Sequence, residues 1–256
     1  QRVQKQYSRM PDVVGLGEGT TRVRLLPPLN KGAVIDEYKW GRHWIRNSQN
    51  KIEAVSGCRY VTYKDNCPIC NAINRAISST RDERTLELIK GWKPNTRMLL
   101  CVSPVEVNKP KPSDYQDPII LAITLDTYKS LWVQLQEMAK SEVNPLSLKD
   151  GRDVIFHRAG KGLNDTKYTV SFAPFNSAID PAILEKRIDI GYYIARSFED
   201  ENMALNAIGS ISEGLTGIPA VASTRAIANQ SNVIDVDVVE SAPWAGNVMD
   251  ESEINK

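Results

Sequence analysis

Apolar and polar residues alternate over 21–26, with Val23 and Leu25 on one face and Arg22 and Arg24 on the other, until Pro27 and Pro28 close the run. That two-residue period predicts a strand with one core face and one basic face. Further runs of strand character lie at 33–37, 59–63, 97–107, 118–125, 152–157 and 166–172. Gly, Pro and Asn turns separate them, without a regular helix between each pair, so an α+β chain dominated by antiparallel β structure is expected, as a barrel or a sandwich.

Helical periodicity is sparser. The clearest case is 126–140, where Tyr128, Leu131, Trp132, Leu135 and Met138 form a stripe and Asp126 can cap the start. The pattern predicts other helices over 71–89, over 180–188 behind the Asp180–Pro181 pair, and over 193–207. The stretch 108–118, with Pro110, Pro112 and Pro118, reads as an exposed loop. Trp132 belongs to the apolar stripe, and Tyr168 and Phe172 lean towards the core. His157, on a strand, reads as a satisfied or exposed histidine.

The two ends differ from the body. Residues 1–20 begin with the polar, basic QRVQKQYSRM and continue through Gly15, Gly17 and Gly19, which predicts a mobile N-terminal arm leading into the first strand. Position 1 is Gln rather than Met, which suggests removal of an initiating residue or a trimmed start. GLGEG precedes a strand instead of following one and opening a helix, so it is not a dinucleotide-binding loop. After residue 207 small and polar residues dominate, and then acids alternate with apolar residues in VIDVDVVES. Residues 208–256 are therefore expected to be a flexible linker and an acidic tail, with Ile234, Val236, Val238 and Trp244 available to a partner that accepts an added strand. The body, 21–207, holds the core.

Charge sharpens the contrast. The chain's net charge of +1 conceals fifteen Lys or Arg against seven Asp or Glu over 22–97, and one Lys against six acids over 232–256. A basic body suggests a polyanionic partner, and an acidic tail suggests interaction or self-masking. No stretch approaches the roughly 20 consecutive apolar residues of a membrane-spanning helix, and no signal-peptide pattern opens the chain, so a soluble, cytoplasmic protein is expected.

Metal chemistry enters at HWIRNSQNKIEAVSGCRYVTYKDNCPIC, which contains His43, Cys58, Cys67 and Cys70. Cys67 and Cys70 can form a tight knuckle with both sulfurs on one ion, while His43 and Cys58 would arrive from a preceding hairpin. Three thiolates and one imidazole make a closed tetrahedral set, so one structural Zn2+ is expected. Buried thiols, a reversible disulfide or a redox Cys-x-x-Cys are the alternatives. No βαβ repeat surrounds the motif, and Asp65 is the only acid in the knuckle loop, which disfavours redox and catalytic roles. Cys101 lies in the apolar run MLLCV and reads as a buried thiol.

Aromatic residues are interleaved with cations through the same region: Tyr38, Lys39, Trp40, Arg42, Trp44 and Arg46; then Arg59, Tyr60, Tyr63 and Lys64; then Lys90, Trp92, Lys93 and Arg97. Single-stranded nucleic acid needs this combination, cations for its phosphates and ring faces for its unpaired bases. The expected phosphate contacts are Arg22, Arg24, Lys39, Arg42, Arg46, Arg59, Lys64, Lys90, Lys93 and Arg97. Tyr38, Trp40, Tyr60, Tyr63 and Trp92 are the expected base contacts. Rings in strands are also what cores are made of, and about half of these are expected to be buried. Scattered acids, only two histidines and no Walker lysine loop argue for binding rather than catalysis.

With these residues in view, the sequence resembles the zinc-containing single-stranded DNA-binding proteins of T-even-type bacteriophages. The likeness spans about 21–207 and is carried by VRLLP at 23–27, the ligand order His43, Cys58, Cys67, Cys70, the knuckle CPIC, and WKPN with the strand that follows it. The resemblance implies an OB-fold barrel with a zinc subdomain at about 38–92, and DNA in a cleft between the two. It implies self-association through the basic arm, replication or recombination proteins bound by the acidic tail, and roles in phage DNA replication, recombination and repair within the host cytoplasm. The arm reads KQYSR where that family has three consecutive bases followed by Ser and Thr. The rival reading is a zinc-knuckle transcription or recruitment factor that meets duplex DNA or a protein through the helix after Cys70, where Asn71, Asn74 and Arg75 are available.

Overall fold

The computed structural model describes residues 13–28, 33–160 and 165–216, the last three by backbone alone. The expected arm through residue 12 and tail from 217 lie outside them. Strands β1 (Val13–Gly15), β2 (Gly19–Leu25), β3 (Glu37–Arg46) and β4 (Ile52–Gly57) come first. Helices α1 (Arg59–Tyr63), α2 (Pro68–Ser79) and α3 (Glu83–Lys90) follow, then β5 (Asn95–Pro104), β6 (Ile119–Ile123) and α4 (Leu125–Lys140). The chain continues through β7 (Val154–Ala159), β8 (Lys167–Phe172), α5 (Ile190–Arg196) and α6 (Glu201–Thr216). Short 3-10 turns stand at Pro112–Asp114 and Pro181–Lys186.

All eight strands join one mixed sheet built around β5. One edge of β5 carries β6, to which the short β1 adds in parallel. Its other edge is divided: Asn95 to Leu100 pair with Arg42 to Glu37 of β3, and Val102 to Pro104 pair with Leu25 to Val23 of β2. β2 leads on to β7 and β8, while β3 leads to β4. Except for β1 with β6, every pairing is antiparallel, as the short, turn-separated strands predict. Among the described residues no ladder returns from β8 to β1. The sheet is open where the resemblance implied a closed barrel.

Three apolar clusters follow from this branching. Val23, Leu25, Leu100, Val102, Leu121, Val154 and Phe156 pack on one face under α4, which contributes Leu131 and Leu135. Trp40, Leu99, Cys101 and Ile120 pack on the other face with Ile179, Ile183, Ile190 and Ile194. The third cluster, Ile45, Ala54, Ile69, Ile73, Ile89 and Trp92, lies beyond β3 and is completed from the far end of the chain by Ala204 and Ile208 of α6. The lobe of about 38–92 is therefore closed by α6, which runs past the expected boundary at 207.

Local expectations fail in informative places. Residues 59–63 form α1 rather than a strand: the Thr62 N–H donates to Cys58 O at 3.0 Å, and Lys64 ends the turn at φ 65°. The strand expected at 33–37 begins only at Glu37. The single helix expected over 71–89 is two. Thr80 Oγ1 bonds back to Ala76 O, and Asp82 caps a new start by accepting from the Thr85 N–H at 2.8 Å. Residues 180–188 form a 3-10 turn, and 193–207 divides between α5 and α6.

The face of β2 expected to be basic is drawn inward: Arg24 is buried and Arg22 half-buried. Arg24 is 1% exposed, and its guanidinium donates to Asp153 Oδ1 (2.9 Å), Tyr115 Oη (3.1 Å), Gly151 O (3.2 Å) and Ser177 O (2.8 Å). Arg22 takes the other carboxylate oxygen of Asp153 at 2.7 Å and bonds the carbonyls of Val107 and Asn108. Tyr115 donates to Asp153 at 2.7 Å, and burial pushes its phenol up to about 12, so it stays protonated as that donor. A single buried carboxylate thus anchors two arginines and ties the 107–108, 147–151 and 177 segments to β2. Replacing it strands a buried cation. Asp153→Ala is expected to cost about 3–5 kcal/mol of stability, read from urea unfolding; a loss below about 1 kcal/mol would show that the network does not hold these segments.

Candidate metal centre and nucleic-acid interface

Four side chains from three elements meet at one point. His43 comes from β3; Cys58 follows β4 and starts α1; Cys67 and Cys70 lie before and within the first turn of α2, with Pro68 between them. Pro68 suits the first helical position, where its missing N–H costs nothing, and Cys67, in extended conformation, is the residue from which the helix starts. Their ligand atoms all lie within 4.8 Å of one another. His43 Nε2 is 3.6 Å from both Cys67 Sγ and Cys70 Sγ, and Cys58 Sγ is 3.6 Å from Cys70 Sγ. Tetrahedral donors at bonds of about 2.0–2.3 Å stand roughly 3.5–3.8 Å apart, so this set fits a closed four-coordinate ion.

The surroundings orient the donors. His43 Nδ1 donates to Trp92 O at 2.9 Å, which leaves the Nε2 lone pair facing the sulfurs. Trp92 is held in turn by its indole N–H on Arg46 O at 2.9 Å. Sulfurs this close share protons unevenly: the hydrogen bond from Cys58 and the neighbouring His43 bring Cys67 down to about 3, while burial first, and then Cys67, hold Cys70 up at about 11. The Cys58 thiol is pushed up, first by its hydrogen bond to Cys67. A cation among them removes that competition. The residues expected as ligands are therefore those the fold assembles, and the set is suited to a structural metal ion.

Gly41 makes the approach of α1 possible. It accepts from the Cys58 N–H at 2.8 Å, and a Cβ there would lie 2.9 Å from Cys58 Cβ and closer still to Val61.

The expected nucleic-acid contacts separate into three groups. Arg22 and Arg24 are consumed by Asp153 and its neighbours. Trp92 is fully buried in the metal lobe, and Trp40 is buried between the sheet and α5, so neither offers a stacking face. This corrects four of the expected contacts. Lys90 pairs with Glu87 at 2.9 Å within α3, and Lys93 is exposed in the turn beyond.

The third group comes together along β3. Arg42 lies between Trp40 and Trp44, 4.7 and 4.1 Å from their ring centroids, and Arg46 reaches the same Trp44 ring at 5.9 Å. Where β3 passes the end of β4, its free edge is covered by α1, which presents Tyr60 and Tyr63, 58% and 48% exposed. Lys64 Nζ lies 5.7 Å over the Tyr60 ring. Lys39 is close enough to Lys64 that burial and then that neighbouring charge lower its amine. Two like charges held together and exposed form a local positive field. Arg59 is partly engaged by Glu201 at 2.7 Å, and Tyr38 is half-buried beside α5.

Sequence reasoning missed two features. Tyr193, Arg196 and Phe198 reach Trp40, Arg42 and Tyr63 from α5 and the turn after it, and Tyr192 is exposed beside them; the signal was GYYIARSF, read only as helix from Tyr193 onward. A cavity of about 680 Å³ opens beside the uncompleted end of the sheet, lined by Arg97, Thr124, Asp126, Arg158, Thr166 and Tyr168 among others. Arg158 Nη1 donates to Leu16 O at 3.0 Å, while its Nε is buried without a hydrogen bond among the described residues. Asn71, Asn74 and Arg75, the residues of the rival reading, are exposed on α2. No protein-family model matches the chain, and no curated protein matches it. Among the described residues no helix is long and apolar enough to cross a membrane.

Two changes test the metal centre. Gly41→Ala is expected to displace α1 and weaken metal retention without removing a ligand. Cys67→Ser is expected to lose the ion outright and lower the thermal midpoint of the purified protein, as a chelator would for the unaltered chain. Metal content by mass spectrometry and melting curves check both, and full retention by Cys67→Ser would remove that residue from the ligand set.

Proposed function

We propose that the protein binds single-stranded DNA without strong sequence preference, through the surface formed by β3 and α1, and that Zn2+ is the ion that holds this surface in place. The reading extends to an OB-type core and to the protection of template strands in replication, recombination and repair. It is carried by one observation: the tyrosines of α1 are about half exposed, and a lysine pair stands beside them. A core has no use for that arrangement, whereas a stacked base with its phosphate does. Arg42, Trp44 and Arg46 extend the same chemistry along β3. Arg97 and Arg158 offer further cations at the cavity.

Zinc suits the donor set because three thiolates and an imidazole select a soft, tetrahedral, redox-inert dication. Its role would be architectural: His43, Cys58, Cys67 and Cys70 would supply four donors, a closed set of the structural kind. The chain's own contribution is to fix His43 through Trp92 and to bring α1 against β3 through Gly41.

The decisive experiment is titration with oligo-dT and a matched duplex at two salt concentrations, with and without chelator, following tryptophan fluorescence. Tight binding of the single strand is expected, weakening with salt by a slope of roughly −0.7 per phosphate contact and weakening again after metal removal. Tyr60→Ala should reduce affinity roughly tenfold, since one stacked base contributes about 1–3 kcal/mol. Stronger duplex binding, or indifference to both, would transfer the assignment to a recruitment module acting through Asn71, Asn74 and Arg75 on α2.

A further inference from the structure

Tyr192 is 65% exposed, more than Tyr60 or Tyr63, yet the helix that carries it is firmly held. Asp189 caps α5 by accepting from the Tyr192 N–H at 3.0 Å, and Ile190 and Ile194 are buried beneath it. Tyr193, the next residue, packs edge-on against Trp40 with centroids 5.7 Å apart. Trp40 in turn donates to Ser197 Oγ at 3.2 Å, and the Gly57 N–H donates to Ser197 O at 2.8 Å. The adjacent tyrosines therefore divide the work. Tyr193 docks the helix, and Tyr192 stands outward on a rigid base.

One turn later, Arg196 places its guanidinium 6.0 Å from the Tyr192 ring centroid, and its second tie, to Glu199 at 3.7 Å, is an exposed pair of little strength. Phe198, just after α5, meets Tyr63 of α1 in a tilted ring contact at 5.4 Å, and Arg59 lies 5.1 Å over the same Phe198 ring. Gly191 lies against Tyr38. The segment that follows α5 is thus joined to α1 by ring contacts. Arg196 also lines a small crevice with Arg42.

We infer that Tyr192 and Arg196 form a second stacking subsite for single-stranded nucleic acid, in which a base lies on the Tyr192 ring and the adjoining phosphate meets Arg196. The inference rests on the single-strand reading of the α1 and β3 surface and adds to it a separate wall, supplied by an element outside the metal lobe. A strand crossing from Tyr60 to Tyr192 would bridge the two parts of the molecule that meet at β3.

The test uses the full chain and oligo-dT, with four variants compared at fixed salt and across a salt series. Tyr192→Ala should weaken binding roughly tenfold and Tyr192→Phe should leave it nearly unchanged, because the ring face and not the hydroxyl makes the contact. Arg196→Ala should reduce the salt slope by about 0.7. Photocrosslinking of a bromodeoxyuridine oligonucleotide should mark Tyr192 directly, a readout that a purely structural role would not give. If Tyr60→Ala weakens binding while Tyr192→Ala and Arg196→Ala leave affinity, salt slope and crosslinking as in the unaltered protein, the α5 subsite is wrong and the parent reading stands. If the unaltered protein shows no salt-sensitive binding of oligo-dT, both fall together.

Discussion

The two ladders that share one edge of β5 are the constraint on which the rest of the molecule depends. A strand offers a single row of donors and acceptors on each side. Here the row passes from β3 to β2 between Leu100 and Val102. That handover obliges the chain to diverge. β2 takes β7 and β8 one way, and β3 takes β4 and the metal lobe the other. Among the described residues β4 pairs only with Arg42–Arg46 of β3, and α1 covers the edge beyond through the Cys58 N–H on Gly41 O and the Gly41 N–H on Thr62 Oγ1. The surface assigned to the single strand is a consequence of how that edge is closed.

The metal centre makes sense in the same terms. The lobe beyond β3 is small, and its apolar cluster is completed by α6, through buried Ala204 and Ile208 with Met203, Leu205, Ala207 and Ile211 packed beside them. A segment of this size rarely holds itself together on apolar burial alone. Cys58 and Cys67 each stand at the start of a helix, and His43 stands on a strand, so an ion held by them would fix three elements at once where a core would need many contacts. Because α1 is only five residues long, it has little helical stability of its own. Its position is set from outside, by the sulfur of Cys58 at one end and Gly41 beneath it.

How much of this was legible in the sequence depended on whether the signal was local. His43, Cys58, Cys67 and Cys70 could be read because ligand chemistry is a property of residue type, and a Cys-x-x-Cys pair is a short-range geometry. The strands at 118–125, 152–157 and 166–172 and the helix at 126–140 could be read because apolar periodicity survives wherever one face is buried. Residues 59–63 could not. Arg-Tyr-Val-Thr-Tyr has strand propensity, and what makes it a helix is the closure of the β3 edge and the placing of Cys58, neither of which is written in those five residues. Tyr193 and Tyr192 were equally opaque, since period alone does not say which of two adjacent rings meets Trp40.

The arginines teach the complementary lesson about charge. Counting cations treated Arg22 and Arg24 as part of a basic face, and their alternation with Val23 and Leu25 supported that reading. What reverses it is Asp153, more than a hundred residues away and just before the neighbouring strand β7, whose buried carboxylate draws both guanidiniums inward. Arg22 remains aligned with Ile155 of β7, so the pairing is enforced by the same register that builds the sheet. The positive charge that remains available to a polyanion is therefore smaller than composition implies, and part of it lies along β3 and α1, at Lys39, Arg42, Arg46 and Lys64. A partner that responded to net basicity alone would gain little from such a distribution. One that reads ring faces and cations in alternation would gain more, because on this surface Lys64 lies over the ring of Tyr60 and Arg42 over the ring of Trp44.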